Sequence, residues 1–190
     1  LIKLICKKII SSKLIDDFFI ATDSLKIYDS IGPYKKRFKL FKRSKKSSLP
    51  NARSEVVIEE FLKTYNQFDI IVFVQLTNPF IKSVHLDKAI KKLKKFKYDS
   101  LLSVVKSKSF LWKNKKITNS INYNFRKRKM SQNLNGYFVE NGSFYIFYSK
   151  NFLKYKNRLH KKIGTYEMEK SSIIEIDDYE DLKIAKKLLS

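Results

Sequence analysis

Apolar residues return at helical spacing at Leu1, Ile2, Ile5 and Ile9, which predicts a first helix ending before the Lys13–Asp17 stretch. Phe18–Thr22 then reads as a compact apolar strand, and Asp23-Ser24 as the cap of a helix through Ile31 that Gly32-Pro33 stops. Residues 35–46 hold eight cations, but Phe38, Leu40 and Phe41 between them predict a short strand with solvated charges on its other positions. A helix is expected from Asn51 to about Tyr65, with Val57, Ile58, Phe61, Leu62 and Tyr65 on its inner face. The run Asp69–Gln75 is almost wholly apolar in its middle, the mark of a strand covered on both faces. Leu86, Ala89, Ile90, Leu93 and Phe96 line a further helix, and Asp99–Val105 is the next strand. Residues 106–135 break this rhythm with a polar, basic stretch of isolated aromatics, a hairpin being expected around Trp112–Ile117. Order resumes in a strand over Gly142–Tyr148 and a helix near 149–157. Short strands at Ile163–Met168 and Ile173–Ile176 follow, then a last helix with Leu182, Ala185, Leu188 and Leu189 facing inward. Strand and helix alternate throughout, the signature of a doubly wound α/β domain with a mostly parallel sheet. No internal repeat interrupts it.

Composition narrows the classes. At 190 residues, 43% of them hydrophobic, the chain fits one domain with a substantial core. Its 41 Lys and Arg against 18 Asp and Glu leave a net charge of +23, ordinarily a pointer to nucleic acid or an anionic membrane. Only six of the cations are Arg, the residue best shaped for phosphate and base edges, and Lys, Ile, Asn, Phe and Tyr rise together while Gly numbers four. Part of the charge therefore reads as compositional drift, and no specific nucleic-acid partner is expected. The single cysteine, Cys6, makes neither an intrachain disulfide nor a thiolate cluster and fits a reducing, cytoplasmic setting. His85 and His160 are too far apart to form a local metal-ligand motif, and no apolar run approaches the ~20 residues of a membrane span. The first residue is Leu rather than Met, so the chain reads as a piece of something longer.

In an open α/β sheet, ligands bind beyond the carboxyl ends of the strands. Four segments there carry candidate chemistry: Thr22-Asp23-Ser24, Gln75-Leu76-Thr77-Asn78-Pro79, Glu140-Asn141-Gly142 and Glu175-Ile176-Asp177. Each also has a purely structural reading. Asp23 or Ser24 caps a helix, Asn78-Pro79 and Asn141-Gly142 turn the chain, and Asp177 with Glu180 caps the last helix. Glu175 and Asp177 are the more suggestive pair, because two residues apart on a strand they point to one face, which is costly unless a cation lies between them or the face is wet. Hard oxygen donors of this kind suit Mg²⁺ shared with a phosphate, and so a nucleotide. No Gly precedes Gly32 to build a phosphate cradle.

These segments, in this order, resemble the acylneuraminate cytidylyltransferase family, the synthetases of CMP-sialic acid and of related CMP-nonulosonic acids. Phe19–Ser24 resembles that family's V-x-S-T-D-S strand end, Gln75–Pro79 its Q-P-T-S-P, and Glu140–Ile146 its E-N-G-A-x-Y-I. Gln132 stands where the family has the Gln of R-Q-D-L, and Ile174–Leu182 follows I-D-I-D-T-x-x-D-L. The resemblance covers nearly the whole chain. It implies a Rossmann-like three-layer sandwich of the nucleotide-diphospho-sugar transferase type, with residues 106–135 as a protruding arm that reaches into a second subunit of a homodimer. It implies attack of a sugar acid's anomeric hydroxyl on the α-phosphorus of CTP, giving a CMP-sugar and pyrophosphate. Glu175 and Asp177 would then be catalytic and hold Mg²⁺. Gln75, Thr77, Asn78, Gln132, Glu140, Asn141 and Gly142 would lie on the sugar-acid side, and Thr22, Asp23 and Arg43 on the nucleotide side.

Several positions depart from the pattern. The family's first strand and basic Gly-rich loop would lie upstream of Leu1, so the chain is expected to lack ~20–30 residues of a complete synthetase. Ser131 replaces the Arg before Gln132 that grips the sugar carboxylate, with Arg128 and Lys129 as the nearest substitutes. Glu175 replaces an Asp, and Asn51 replaces another before the third helix. Two further readings stay open on the residues alone: a non-catalytic remnant of the same fold, and a basic nucleic-acid-binding domain.

Overall fold

The computed structural model describes residues 1–114 and 118–189. In chain order its elements are α1 (Ile2–Ile9), β1 (Phe18–Thr22), α2 (Leu25–Asp29), β2 (Phe38–Lys42), α3 (Ser54–Thr64), β3 (Ile70–Val74) and α4 (Ser83–Lys95). Then come β4 (Ser100–Ser107), β5 (Trp112–Lys113), β6 (Asn119–Ser120), β7 (Tyr137–Tyr148), α5 (Ser149–Tyr155), β8 (Ile163–Glu167) and α6 (Tyr179–Leu189).

The main sheet has the order β3-β7-β4-β8. β4 and β8 are parallel, and β7 runs antiparallel to both its neighbours, so three of the four strands share one direction. β1 and β2 form a separate parallel pair. The sheet is covered on both faces. On one, Ile5, Cys6 and Ile9 of α1 and Leu86, Ala89, Ile90 and Leu93 of α4 pack on Leu101, Phe144 and Ile146. On the other, Ile58 and Leu62 of α3 and Phe152 of α5 pack on Leu102, Val104, Tyr145 and Phe147. Neighbouring side chains of β3 divide between the two, Val72 and Val74 toward the first cluster and Ile71 and Phe73 toward the second. That division is why its apolar run carries no polar alternation. All five residues of β3 are nevertheless only half-buried, because β3 is an edge of the sheet.

Polar side chains tie the layers. The Asp87 carboxylate on α4 accepts from the Ser12 hydroxyl at 2.5 Å and from the amides of Lys13 and Leu14, both at 3.1 Å, which fixes the loop between α1 and β1. The basic run at 35–46 carries Phe38 and Phe41 inside and its cations, except the half-buried Arg43, outside, with Lys39 paired to Asp17 at 2.7 Å.

The structure corrects several expectations. The chain does not stop turning at Gly32-Pro33 but continues as a 3₁₀ helix over Gly32–Lys36, Gly32 taking the left-handed φ of 62°. The expected strand at Ile173–Ile176 is absent; Lys170–Ile173 is a 3₁₀ turn leading into extended chain. β7 begins at Tyr137, five residues before the expected start at Gly142. Leu188 and Leu189 of α6 are 52% and 38% exposed, and Ala185 is the buried residue of that helix. In the 106–135 segment, Trp112–Lys113 pairs with Asn119–Ser120 as a short hairpin; positions 115–117 of the expected one lie outside the described residues.

Candidate functional site

The site is built around an irregularity in β7. Between the pairs Leu102↔Tyr145 and Val104↔Glu140, β4 advances two residues and β7 five, so Asn141–Ser143 are extra and leave the ladder with β4. Bulges of this kind re-aim side chains where a strand crosses a site. Gly142 within it has a φ of 57°, which glycine adopts without strain.

Two fully buried asparagines hold the bulge to its surroundings. Asn78, in the turn after β3, donates through Nδ2 to the Asn141 carbonyl at 2.7 Å and to the Ser172 carbonyl at 2.8 Å, while its Oδ1 accepts from the Phe80 amide at 3.2 Å. Asn141 donates to the Ser172 hydroxyl at 2.9 Å. Both side chains have no exposed surface, so they act as locks between β3, β7 and the 170–173 turn. The sequence-based expectation placed both in the sugar-acid pocket; what the structure provides at these positions is the frame. Asn141 Oδ1, like the neighbouring Thr77 and Ser143 hydroxyls, is buried without a hydrogen-bond partner.

The following segment is stitched to the end of β3 by the Ile176 amide, which donates to the Thr77 carbonyl at 2.8 Å. Glu175 and Asp177 thus flank a residue docked on the Thr77 turn rather than sitting on a strand. The structure also reassigns the cap of α6. Asp178 accepts from the amides of Glu180 and Asp181 at 2.8 and 2.9 Å, and Asp181 accepts in return from those of Asp177 and Asp178 at 3.1 and 3.2 Å. The capping pair is therefore Asp178 and Asp181, not Asp177 and Glu180, and the exposed Asp177 carboxylate is left free of that duty.

Charge accumulates here. Burial, and then the neighbouring carboxylates of Asp177 and Glu140, push the Glu175 carboxyl above its ordinary value. Glu140 is held by the Tyr145 hydroxyl, which donates to its Oε1. The Tyr145 ring lies 4.3 Å from the Arg158 guanidinium, and Arg158 faces Glu55 on α3 at 3.6 Å. Tyr145 and Arg158 were not among the sequence-predicted site residues, since nothing local marks a strand tyrosine or a loop arginine as neighbours of Glu140.

The nucleotide-side expectations gather at the ends of β1 and β2. The Arg43 amide donates to the Thr22 carbonyl at 3.1 Å, and Arg43 Nε is buried without a hydrogen-bond partner. The buried Thr22 hydroxyl accepts from the Ser24 amide at 3.1 Å, and Ser24 caps α2 by accepting from the Ile27 amide at 3.3 Å. Asp23 is thereby spared as a cap and stands exposed. Gln75 extends the β3 ladder, its amide donating to the Ser143 carbonyl at 3.1 Å.

Gln132 lies elsewhere, in an exposed 3₁₀ turn of the arm, its carbonyl accepting from Lys108 at 2.6 Å. With Phe110 and Arg128 to Ser131 it lines an open cleft of about 510 Å³, in which the Arg128 guanidinium stacks 4.3 Å from the Phe110 ring. No hydrogen bond or ion pair among the described residues joins Gln132 to the carboxylates. Both ends of the arm are nonetheless rooted at the carboxyl end of β4, where Ser107 pairs with Tyr137.

Among the described residues no three His, Cys, Asp or Glu side chains form a metal cage. The donors present fit Mg²⁺ in another way, because this ion commonly uses one or two carboxylates and takes its remaining ligands from water and phosphate. Burial and the Asp177 and Glu140 carboxylates raise the Glu175 carboxyl, and the Thr77 hydroxyl offsets part of this.

A model of the cytidylyltransferase family matches residues 1–189. The chain is 32% identical over 153 residues to N-acylneuraminate cytidylyltransferase A of Danio rerio, covering 78% of this chain and 35% of that protein. It is 28% identical over 179 residues to N-acylneuraminate cytidylyltransferase B of the same fish, covering 90% and 41%. The chain thus spans well under half the length of these relatives. In fold it is similar to a 4-diphosphocytidyl-2C-methyl-D-erythritol synthase of Anaerococcus prevotii, with a TM-score of 0.67 at 14% identity over 99% of this chain and 85% of that one. It is similar also to a CMP:2-keto-3-deoxy-manno-octonic acid synthetase complexed with CTP, with a TM-score of 0.69 at 10% identity over 99% and 86%. With a family model matched from residue 1 to 189 and an α/β sheet of the same fold, the chain belongs to the cytidylyltransferase family.

Proposed function

We propose that this chain carries the transfer site of an enzyme that activates a nonulosonic acid of the sialic type with CTP, yielding the CMP-sugar and pyrophosphate for glycan synthesis. The observation that carries the reading is the lodging of Glu175 and Asp177 at the Thr77 turn beside the β7 bulge, at the carboxyl end of the sheet. The names of the relatives support the sialic-type substrate.

Mg²⁺ held by Glu175 and Asp177 would neutralise charge on the triphosphate. The chain's own residues do the positioning. Asn78 and Asn141 fix the frame, Tyr145 steadies Glu140 beside the pair, and Thr22, Asp23 and Arg43 face the nucleotide. The sugar acid would lie between the bulge, with Gln75 and Glu140, and the arm that bears Gln132. The arm carries nine cations and no acid over residues 106–135, which favours an anionic substrate. Its exposed Trp112, Ile121, Phe125 and Met130 offer apolar area to a second copy of the chain, so a homodimer is part of the proposal. No helix among the described residues is long and apolar enough to cross a membrane.

The test is pyrophosphate release from CTP by the full-length protein with Mg²⁺ and, in turn, N-acetylneuraminate, legionaminic, pseudaminic and 3-deoxy-octulosonic acids. Turnover with one of them and with CTP in preference to UTP or ATP is expected. A full-length protein inert with every one of these acids contradicts the reading and favours the non-catalytic remnant.

A further inference from the structure

We propose that Gly142 is a positioning residue whose missing side chain lets the Glu175 carboxylate occupy the place of a Cβ, and so sets where that carboxylate stands beside Asp177. The inference rests on the metal-holding role given to Glu175 above. A methyl group built on Gly142 would fall 2.4 Å from Glu175 Oε2 and 2.5 Å from both Cδ and Oε1. All three atoms are far inside van der Waals contact, so the carboxylate lies flat over the glycine and is not merely brushed by it.

Neither backbone is free to retreat. On the glycine side, the Asn141 carbonyl is held by Asn78 at 2.7 Å, the Ser143 carbonyl by the Gln75 amide at 3.1 Å, and Phe144 by Ser103. On the other side, Ile176 is fastened to Thr77 at 2.8 Å. A side chain at 142 would therefore be relieved by the one flexible group available, the Glu175 arm, which would swing away from Asp177. The length of residue 175 matters for the same reason: an Asp, one methylene shorter, does not reach over Gly142.

The two positions should consequently be coupled in divalent-cation binding. Titration of the protein with Mn²⁺, read by the electron paramagnetic resonance of the free ion, gives the affinity of wild type, Gly142→Ala, Glu175→Asp and the double variant. Gly142→Ala is expected to weaken Mn²⁺ tenfold or more and Glu175→Asp only a few-fold. The double variant should bind like Glu175→Asp alone, because the shorter arm no longer meets the methyl. The left-handed φ at 142 penalises both alanine variants equally, so strain cannot mimic this rescue. A folded Gly142→Ala with wild-type affinity overturns the inference, as does a double variant no better than Gly142→Ala. Should Gly142→Ala not fold, Glu175→Asp alone decides, an undiminished affinity showing that the reach over Gly142 is irrelevant. A wild-type protein that binds no Mn²⁺ brings down the metal reading, and this inference with it, whereas the other contrary outcomes leave the metal reading standing.

Discussion

The Ser103 hydroxyl clasps both backbone groups of Phe144, accepting from its amide at 3.0 Å and donating to its carbonyl at 3.1 Å. The clasp sits where the register between β4 and β7 shifts, and it replaces the ladder bonds that the bulge removes. Ser103 and Phe144 are 1% and 0% exposed, so water cannot take over. Ser103→Ala leaves a buried amide and a buried carbonyl unmatched and should cost on the order of 2–4 kcal/mol of stability. Chemical denaturation of the variant checks this; a loss below about 0.5 kcal/mol would mean that the bulge is held by other contacts.

Asn78 offers a sharper contrast between frame and ligand contact. Asn78→Ala should destabilise by about 2–4 kcal/mol, since the Asn141 carbonyl and the Phe80 amide lose their partner inside the protein and the Ser172 carbonyl keeps only its bond from Asn141. Asn78→Asp should be worse near neutral pH than in mild acid, because a carboxylate would face two carbonyl oxygens and must be protonated to survive there. Its melting temperature relative to that of wild type is predicted to rise as pH falls toward 5, and a difference from wild type that is flat in pH would contradict the assigned hydrogen bonds.

His85 supplies a second pH dependence. It is 5% exposed on α4, with Glu169 at 3.3 Å, Lys82 and Lys88 nearby and the Tyr166 ring 6.0 Å away. Burial holds its pKa below the ordinary value, and Glu169 only partly restores it. The unfolded chain therefore binds this proton more readily than the folded one. Stability from the neutral ring is present above about pH 6.5 and is lost as pH falls below that value. Glu169, whose own pKa is held down despite partial desolvation by backbone and Lys82 hydrogen bonds, adds a loss of the same sign at lower pH. Between pH 7.5 and 5.5 wild type should lose more stability than His85→Gln; equal losses would show that the ring is not the group responsible.

Cys6 is 1% exposed and its thiol is pushed up to about 11 by burial. At pH 8 only about one molecule in a thousand would carry the thiolate. Iodoacetamide should leave the native protein unmodified for hours and label it rapidly in denaturant. Fast labelling of the native state would mean that α1 opens readily.

The order of helices and strands was legible in the sequence because each element has an apolar face that repeats locally, as in α1, α4 and β3. The long-range contacts were not. The bulge exists only through the pairing of β7 with a distant strand, so Asn141-Gly142 looked like a turn ahead of a strand. The largely apolar segment 173–176 reads like a strand but finds no strand to pair with, docking instead through Ile176 on Thr77. Spacing pointed to Asp177 with Glu180 as the cap of α6, whereas the amides of Glu180 and Asp181 donate to Asp178. The sequence put the two carboxylates on one strand face; the structure puts them on either side of the docked Ile176 instead. That Glu175 lies over Gly142 has no local signal at all.

The most direct test of the account is the site of paramagnetic broadening when Mn²⁺ is added to the ¹⁵N-labelled protein with CTP. Broadening is predicted to be strongest at the amides of Thr77, Gly142, Glu175, Ile176 and Asp177, and to be abolished there by Asp177→Asn, while those of His85 and Cys6 on the helical face stay sharp. Broadening centred elsewhere, or unchanged by that substitution, would contradict the claim that the β7 bulge and the Thr77 dock assemble the cation site of this cytidylyltransferase.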